Sequence, residues 1–159
     1  MRLYHGSNVM VEQPDLSRTK PFKDFGRGFY LSPVREQAEE RGKQMTALLQ
    51  EGTPCVTEFE WDEKASRIAG LKIKHFDDYC QEWAEFILRN RDRKQPHPAH
   101  DYDVVIGPIA DDGVTYQLRR YSEGDISMER LIEELKYAKG LTIQYYFGTE
   151  RAISYLKKL

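Results

Sequence analysis

Cysteine is scarce: the 159 residues hold two, Cys55 and Cys80, and neither sits in a CxxC pair. That excludes a disulfide framework and a thiolate zinc site. Two buried free thiols in a reducing compartment are expected, Cys80 on an apolar helix face. No apolar run approaches the roughly 20 residues that span a bilayer. The opening MRLYHGSNVM has one arginine and no long apolar stretch, so it does not read as a secretory leader. A cytoplasmic protein without a membrane partner is the expectation. The net charge is only −2 and no block of like charges occurs, so a standing electrostatic footprint for DNA or lipid is missing. A nucleic acid stays open as a brief substrate. No GxGxxG follows a strand and no P-loop is present, which removes the common nucleotide-binding fingerprints. Internal repeats, low-complexity tracts and linkers are also missing.

What is present is the composition of a globular domain. Hydrophobic residues make up 40% and tyrosine alone contributes ten, enough for a sizeable core in one domain of this length. Residues 2–5 read as a first strand and 6–28 as a long aperiodic loop, a length that usually signals function. Phe29, Tyr30 and Leu31 form a short buried strand. Ser32-Pro33 starts a helix over about 33–50, with Val34, Ala38, Met45, Leu48 and Leu49 on its inner face. Strands are expected at 55–61, 71–76, 102–107 and 141–147. Helices are expected at 76–90, where Phe76, Tyr79, Cys80, Trp83, Phe86 and Ile87 recur at three and four, at about 112–122, at about 128–139 behind Ser127 and before Gly140, and from Thr149 to the end with Ala152, Ile153, Leu156 and Leu159 inward. Trp61 and Trp83 read as core aromatics. Strands and helices mix without βαβ alternation, so the predicted class is α+β in a single domain, 1–159.

Three short motifs carry chemistry. Leu3-Tyr4-His5-Gly6-Ser7 puts an imidazole at a strand end beside a glycine that lets a ligand approach the main chain. Asp24-Phe25-Gly26-Arg27-Gly28-Phe29-Tyr30 punctuates the run before an aromatic strand with two glycines. Such a loop can offer backbone N–H groups and the Arg27 charge to a phosphate, and Tyr30 can offer a flat face. In Ile143-Gln144-Tyr145-Tyr146-Phe147, strand alternation places Gln144 and Tyr146 on one face. His97-Pro98-Ala99-His100, with Asp101 and Asp103 near, has a His-x-x-His spacing, but its prolines make an irregular loop unsuited to a fixed zinc frame, so exposed histidines and no metal are expected.

Taken together and in this order, the three motifs resemble the split His–Tyr–Glu signature of ADP-ribosyltransferases of the diphtheria-toxin and poly-ADP-ribose-polymerase type, with Gln144 where the glutamate would stand. The whole chain also resembles a group of bacterial proteins with domains of unknown function. The resemblance implies a split antiparallel sheet core with flanking helices, and NAD as substrate. It implies that His5 bonds a ribose hydroxyl, that the Gly6 backbone clamps the nicotinamide amide with support from Ser7, and that Tyr30 stacks on the nicotinamide ring. Arg27, Gly28 and Phe29 belong to the implied cofactor-binding set, and Arg18, Lys20 and Lys23 lie on a loop able to reach the pyrophosphate. His5, Tyr30 and Gln144 are the implied catalytic residues.

NAD cleavage passes through an oxocarbenium-like state, which a carboxylate stabilises by charge. Gln144 can accept a hydrogen bond but supplies no charge. At about 4 Å and an effective dielectric near 20 that charge is worth roughly 4 kcal/mol, about a thousandfold in rate at most. Asp111, Asp112 or Glu150 are candidates to stand in. The resemblance also implies that arginine is not the acceptor, because Thr142, two residues before Gln144, stands where arginine-modifying members carry an acid or glutamine. Four readings remain open: a mono-ADP-ribosyltransferase with an unidentified macromolecular acceptor and, if it is a toxin, an antitoxin partner; a non-catalytic NAD or ADP-ribose binding module; an NAD glycohydrolase; and a plain structural domain that binds no dinucleotide.

Overall fold

The computed structural model describes residues 1–138 and 140–159. Two sheets carry the fold. In the first, β1 (Arg2–Ser7) pairs antiparallel with β3 (Cys55–Trp61), which pairs antiparallel with β7 (Leu156–Lys158). In the second, β2 (Phe29–Leu31), β6 (Ile143–Phe147) and β5 (Val104–Pro108) run antiparallel, and β4 (Ile73–His75) lies parallel to β5. The α+β class predicted from the sequence is therefore present. The wholly antiparallel core is not, because a helix, α3 (Gln81–Arg91), makes the crossover that parallel strands need.

β5 and β6 explain how the layers assemble. Val104, Ile106 and Phe147 point into a core between the two sheets, together with Leu3, Phe29, Leu31, Phe59 and Trp61. Val105 and Tyr146, one residue out of phase, point into a second core. That core is closed by α3, α4 (Asp112–Ser122) and α5 (Met128–Leu135) through Trp83, Ile87, Leu118, Leu131 and Leu135. A strand buried on both faces reads as a continuous apolar run, which is what Val104-Val105-Ile106 is. Trp61 and Trp83 are core residues as expected, and their indole N–H groups donate to Ser66 Oγ (3.0 Å) and the Pro108 carbonyl (2.7 Å).

Several local expectations fail for identifiable reasons. α1 spans Arg35–Leu49 and starts behind Val34, not Ser32. The Ser32 hydroxyl is used in the preceding turn, accepting from Val34 N–H (3.0 Å) and donating to Gln37 Oε1 (2.7 Å). Its inner face is Ala38 and Gly42, whereas Val34, Leu48 and Leu49 are exposed. The cause lies in β1. A Cβ on Gly6 would stand 1.8 Å from the Ala38 carbonyl oxygen, so helix and strand touch backbone to backbone and only small residues fit between them.

The helix expected at 76–90 begins at Gln81, because Phe76 instead prolongs the β4 pairing by donating its N–H to the Ile106 carbonyl (2.8 Å). Cys80 is the exposed N-cap residue of α3 and Cys55 is half-buried, so neither thiol is a core group. The helix α2 (Glu63–Ile68) was legible in its Asp62 cap, which accepts from Ala65 N–H (2.9 Å), but was not anticipated. The expected C-terminal helix is one turn, α6 (Glu150–Ile153), capped by Thr149. Leu156 then enters β7 on the free edge of β3, and Leu159 is exposed. Of the helix expected at 128–139, α5 covers Met128–Leu135, and position 139 lies outside the described residues.

Gly6→Ala is expected to cost about 3 kcal/mol, the upper part of the overpacking range, since backbone atoms must move. Gly113→Ala, in α4 with its nearest neighbour at 3.5 Å, is expected to be neutral or to stabilise by up to about 1 kcal/mol. Urea midpoints of the two variants check both, and equal effects would contradict the account.

Candidate functional site

The two sheets meet at one bridge among the described residues, Tyr4 with Ser32, where each N–H donates to the other's carbonyl at 2.8 Å. In an antiparallel ladder the next rung would join Gly6 to Tyr30. The strands splay instead, and the His5 side chain takes that place. Its Nδ1–H donates to the Tyr30 carbonyl (2.8 Å), while the ring lies 4.3 Å from that of Phe29. A carbonyl only accepts, so this bond sets the tautomer and leaves Nε2 as the acceptor. Burial, with help from Lys23 and Arg41, lowers the His5 pKa below its ordinary 6.5 and keeps the ring neutral. By ladder alternation the Gly6 N–H and C=O lie on the edge that Tyr4 uses for the bridge, and the residue itself is buried.

Tyr30 and Gln144 meet through β6. Tyr30 is directly opposite Tyr146, and their rings are edge to face at 5.4 Å. Gln144 lies two residues before Tyr146 and hence on the same face, a diagonal neighbour of Tyr30 at about 7 Å in Cα terms. It is half-buried. The Tyr30 hydroxyl donates to the Gly26 carbonyl (2.7 Å) and accepts from Phe25 N–H (3.0 Å), and burial raises its pKa well above the ordinary value. The phenol is a clamp on the 25–26 turn. Its ring face is covered by the Lys23 ammonium, 5.4 Å from the centroid.

The segment 23–28, expected as part of a structureless loop, is anchored from below. Asp24, nearly buried, binds Arg91 (Nε at 2.7 Å, a second guanidinium nitrogen at 2.5 Å) and accepts from Ala110 N–H (2.7 Å). The Phe25 carbonyl accepts from His100 Nε2–H (2.6 Å). Tyr146 donates to the Arg27 carbonyl (2.9 Å), and burial pushes its pKa up to about 12. Its ring lies where a Gly28 Cβ would be, at 2.1 Å, so Gly28 makes room for an aromatic ring. The Arg27 guanidinium is turned onto the Thr19 carbonyl within its own loop. Ser7 donates to Asn8 Oδ1 (3.3 Å).

A cationic group forms around His5. Lys23 feels Arg41 and Lys20, and its pKa is lowered by burial first and by those two charges next. Lys20, Lys23 and Arg41 form no ion pair among the described residues. Asp24 acts on Lys23 but is held by Arg91. Arg41 is the site residue that sequence reasoning missed. It follows Gln37 by one helical turn, on the side of α1 that bonds Ser32, and the only signal was that spacing.

The proposed stand-in carboxylates have the following surroundings. Asp111 caps α4 by accepting from Val114 N–H (2.8 Å), and Asp112 is exposed in the first turn. Glu150 follows the opposite end of β6 from Gln144. The His-x-x-His loop uses its rings on backbone. His97 Nε2–H donates to Asp92 (2.6 Å), and His100, half-buried rather than exposed as expected, accepts from Tyr102 N–H at Nδ1 (3.0 Å). Asp103 is committed to Lys72 N–H (2.8 Å) and Thr149 Oγ1 (2.7 Å). No group of three His, Cys, Asp or Glu suited to a metal occurs among the described residues.

Burial lowers the pKa of both His5 and His100 below the ordinary 6.5. The unfolded chain therefore binds protons at these positions before the folded chain does. Their stabilisation is complete above about pH 6.5 and is lost as pH falls below it toward the folded values. Urea midpoints followed from about pH 7.5 down to about pH 5 should fall more steeply in the wild type than in a His5→Gln/His100→Gln variant. Parallel curves would contradict the assignment.

No curated protein and no solved structure matches the chain. No helix among the described residues is long and apolar enough to cross a membrane. One family model, for a protein of unknown function designated DUF3990, matches residues 1–158, and the chain belongs to that family.

Proposed function

We propose that this domain binds NAD in the gap between β1 and β2 and transfers its ADP-ribosyl group to an acceptor, as a mono-ADP-ribosyltransferase. The observation that carries the reading is the convergence of a neutral, oriented His5 with the Gly6 backbone edge, Tyr30 and an unpaired cationic group. His5 Nε2 accepts a ribose hydroxyl. The Gly6 main chain, on the edge that β2 leaves at the splay, would pair with a carboxamide, which needs one donor and one acceptor on the same edge. Lys20, on the basic loop, suits a diphosphate, and Lys23 stands over the Tyr30 ring. The split into two sheets agrees with the resemblance to ADP-ribosyltransferases that the motifs carry.

In the reaction the bond between ribose C1′ and the nicotinamide nitrogen breaks and its electron pair leaves with nicotinamide. The acceptor then bonds C1′ and gives up a proton. Gln144 holds the 2′-hydroxyl through its amide oxygen, so the developing cation is met by a dipole instead of a charge. A toxin role, with an antitoxin covering the gap, is compatible with a domain of this size.

A second reading, binding without cleavage, is favoured by one observation: the residue at the glutamate position is Gln144, an amide that supplies no charge. Nicotinamide release from NAD, with and without cell lysate, separates the readings. Release that rises with lysate and disappears in His5→Ala supports transfer, and release independent of lysate means water is the acceptor. Binding without release leaves a binding module. Gln144→Glu is expected to raise the release rate, by up to about a thousandfold, and an unchanged or lower rate would place Gln144 away from the reacting ribose.

A further inference from the structure

The ring that would stack on Tyr30 is a pyridinium in NAD and carries a positive charge. The side chain that stands there is Lys23, its ammonium 5.4 Å above the Tyr30 ring. Arg41 and Lys20 add two more positive charges near it, and none of the three is neutralised by an ion pair among the described residues. The acidic side chain that acts on Lys23 is Asp24, already bound to Arg91 and to the Ala110 amide. Lys23 cannot simply retreat with its backbone, because its carbonyl accepts from Gly26 N–H (2.9 Å) and the next residue is pinned by Arg91. Like charges at such distances in a half-buried site repel more than they would in water.

We infer that this site discriminates among dinucleotides by charge, holding an adenosine diphosphate ribosyl group whose far end is neutral or absent more tightly than one ending in a cationic ring. The inference rests on the dinucleotide reading of the site given above. Its consequence is that ADP-ribose and the reduced dinucleotide outcompete NAD. An enzyme built this way that uses water as acceptor retains its ADP-ribose product, and a binding module built this way is a receptor for ADP-ribose.

The test is calorimetric titration of the full chain with NAD, NADH and ADP-ribose. NAD and NADH share a skeleton and differ at the ring by one hydride and one charge. NADH and ADP-ribose are expected to bind at least about tenfold more tightly than NAD. Lys23→Met is expected to narrow that gap to within about threefold, with NAD binding unchanged or tighter. Arg41→Gln, on an exposed helical position, is expected to narrow it in the same direction without touching the loop, so a fold defect in one variant leaves the other as the test. NAD binding as tightly as NADH in the wild type would overturn the inference while leaving the dinucleotide site intact. So would a Lys23→Met variant that weakens all three ligands equally, which would place Lys23 on the diphosphate. Binding of none of the three would overturn the dinucleotide reading and this inference with it.

Discussion

The site depends on one hydrogen bond that replaces another. Tyr4 and Ser32 form a sheet rung, and the rung that should follow, Gly6 with Tyr30, is displaced by the His5 imidazole on the Tyr30 carbonyl. Were that rung formed, β1 and β2 would continue as one sheet and the Gly6 edge would be closed. The splay separates a three-stranded from a four-stranded sheet, leaves the Gly6 edge without a β2 partner, and fixes which imidazole nitrogen is the acceptor. Its geometry is held from both sides: α1 presses on Gly6 through Ala38 and Gly42, and Tyr146 presses on Gly28.

Electrostatics follow from that geometry. The 23–28 segment is fixed by Asp24 on Arg91, by His100 on Phe25 and by Tyr146 on Arg27, so Lys23 projects from a rigid turn over the Tyr30 ring. The carboxylate nearest in sequence is spent on anchoring the turn, which leaves the gap positive. A positive gap attracts phosphates and resists a pyridinium. On the proposed dinucleotide reading, those two effects act on opposite ends of one ligand, so binding and cleavage would place different demands on the site's side chains.

The strands that position the site were legible because their patterns are local. β5 is a β-branched apolar run, β6 alternates, and the Gly-x-Gly before Phe29 marks β2. The register that puts Tyr30 opposite Tyr146 joins two short aromatic strands, both of which were expected. What the glycines do was not readable. Gly28 was expected in a loop that offers backbone N–H groups to a phosphate and makes room for the Tyr146 ring, and Gly6 admits a helix, because both neighbours come from far along the chain. Arg41 was hidden for the same reason. A helix that packs through Ala38 and Gly42 has no large apolar stripe to orient it, so the side facing the gap could not be told from the side facing solvent. The last strand failed differently: Thr149 caps a helix as expected, but the free edge of β3 captures Leu156–Lys158 after a single turn.

The most direct test of the central claim, that the broken rung is a ligand site, is an amide chemical-shift titration of the isotope-labelled chain with ADP-ribose. The account predicts that the largest saturable changes fall on His5, Gly6, Ser7, Lys23 and Tyr30, with Gln144 following, while the concave surface beside Trp61, Glu63 and Arg67 on the far side of β3 stays unchanged. Changes centred on that surface, or none at Gly6 at saturation, would contradict it.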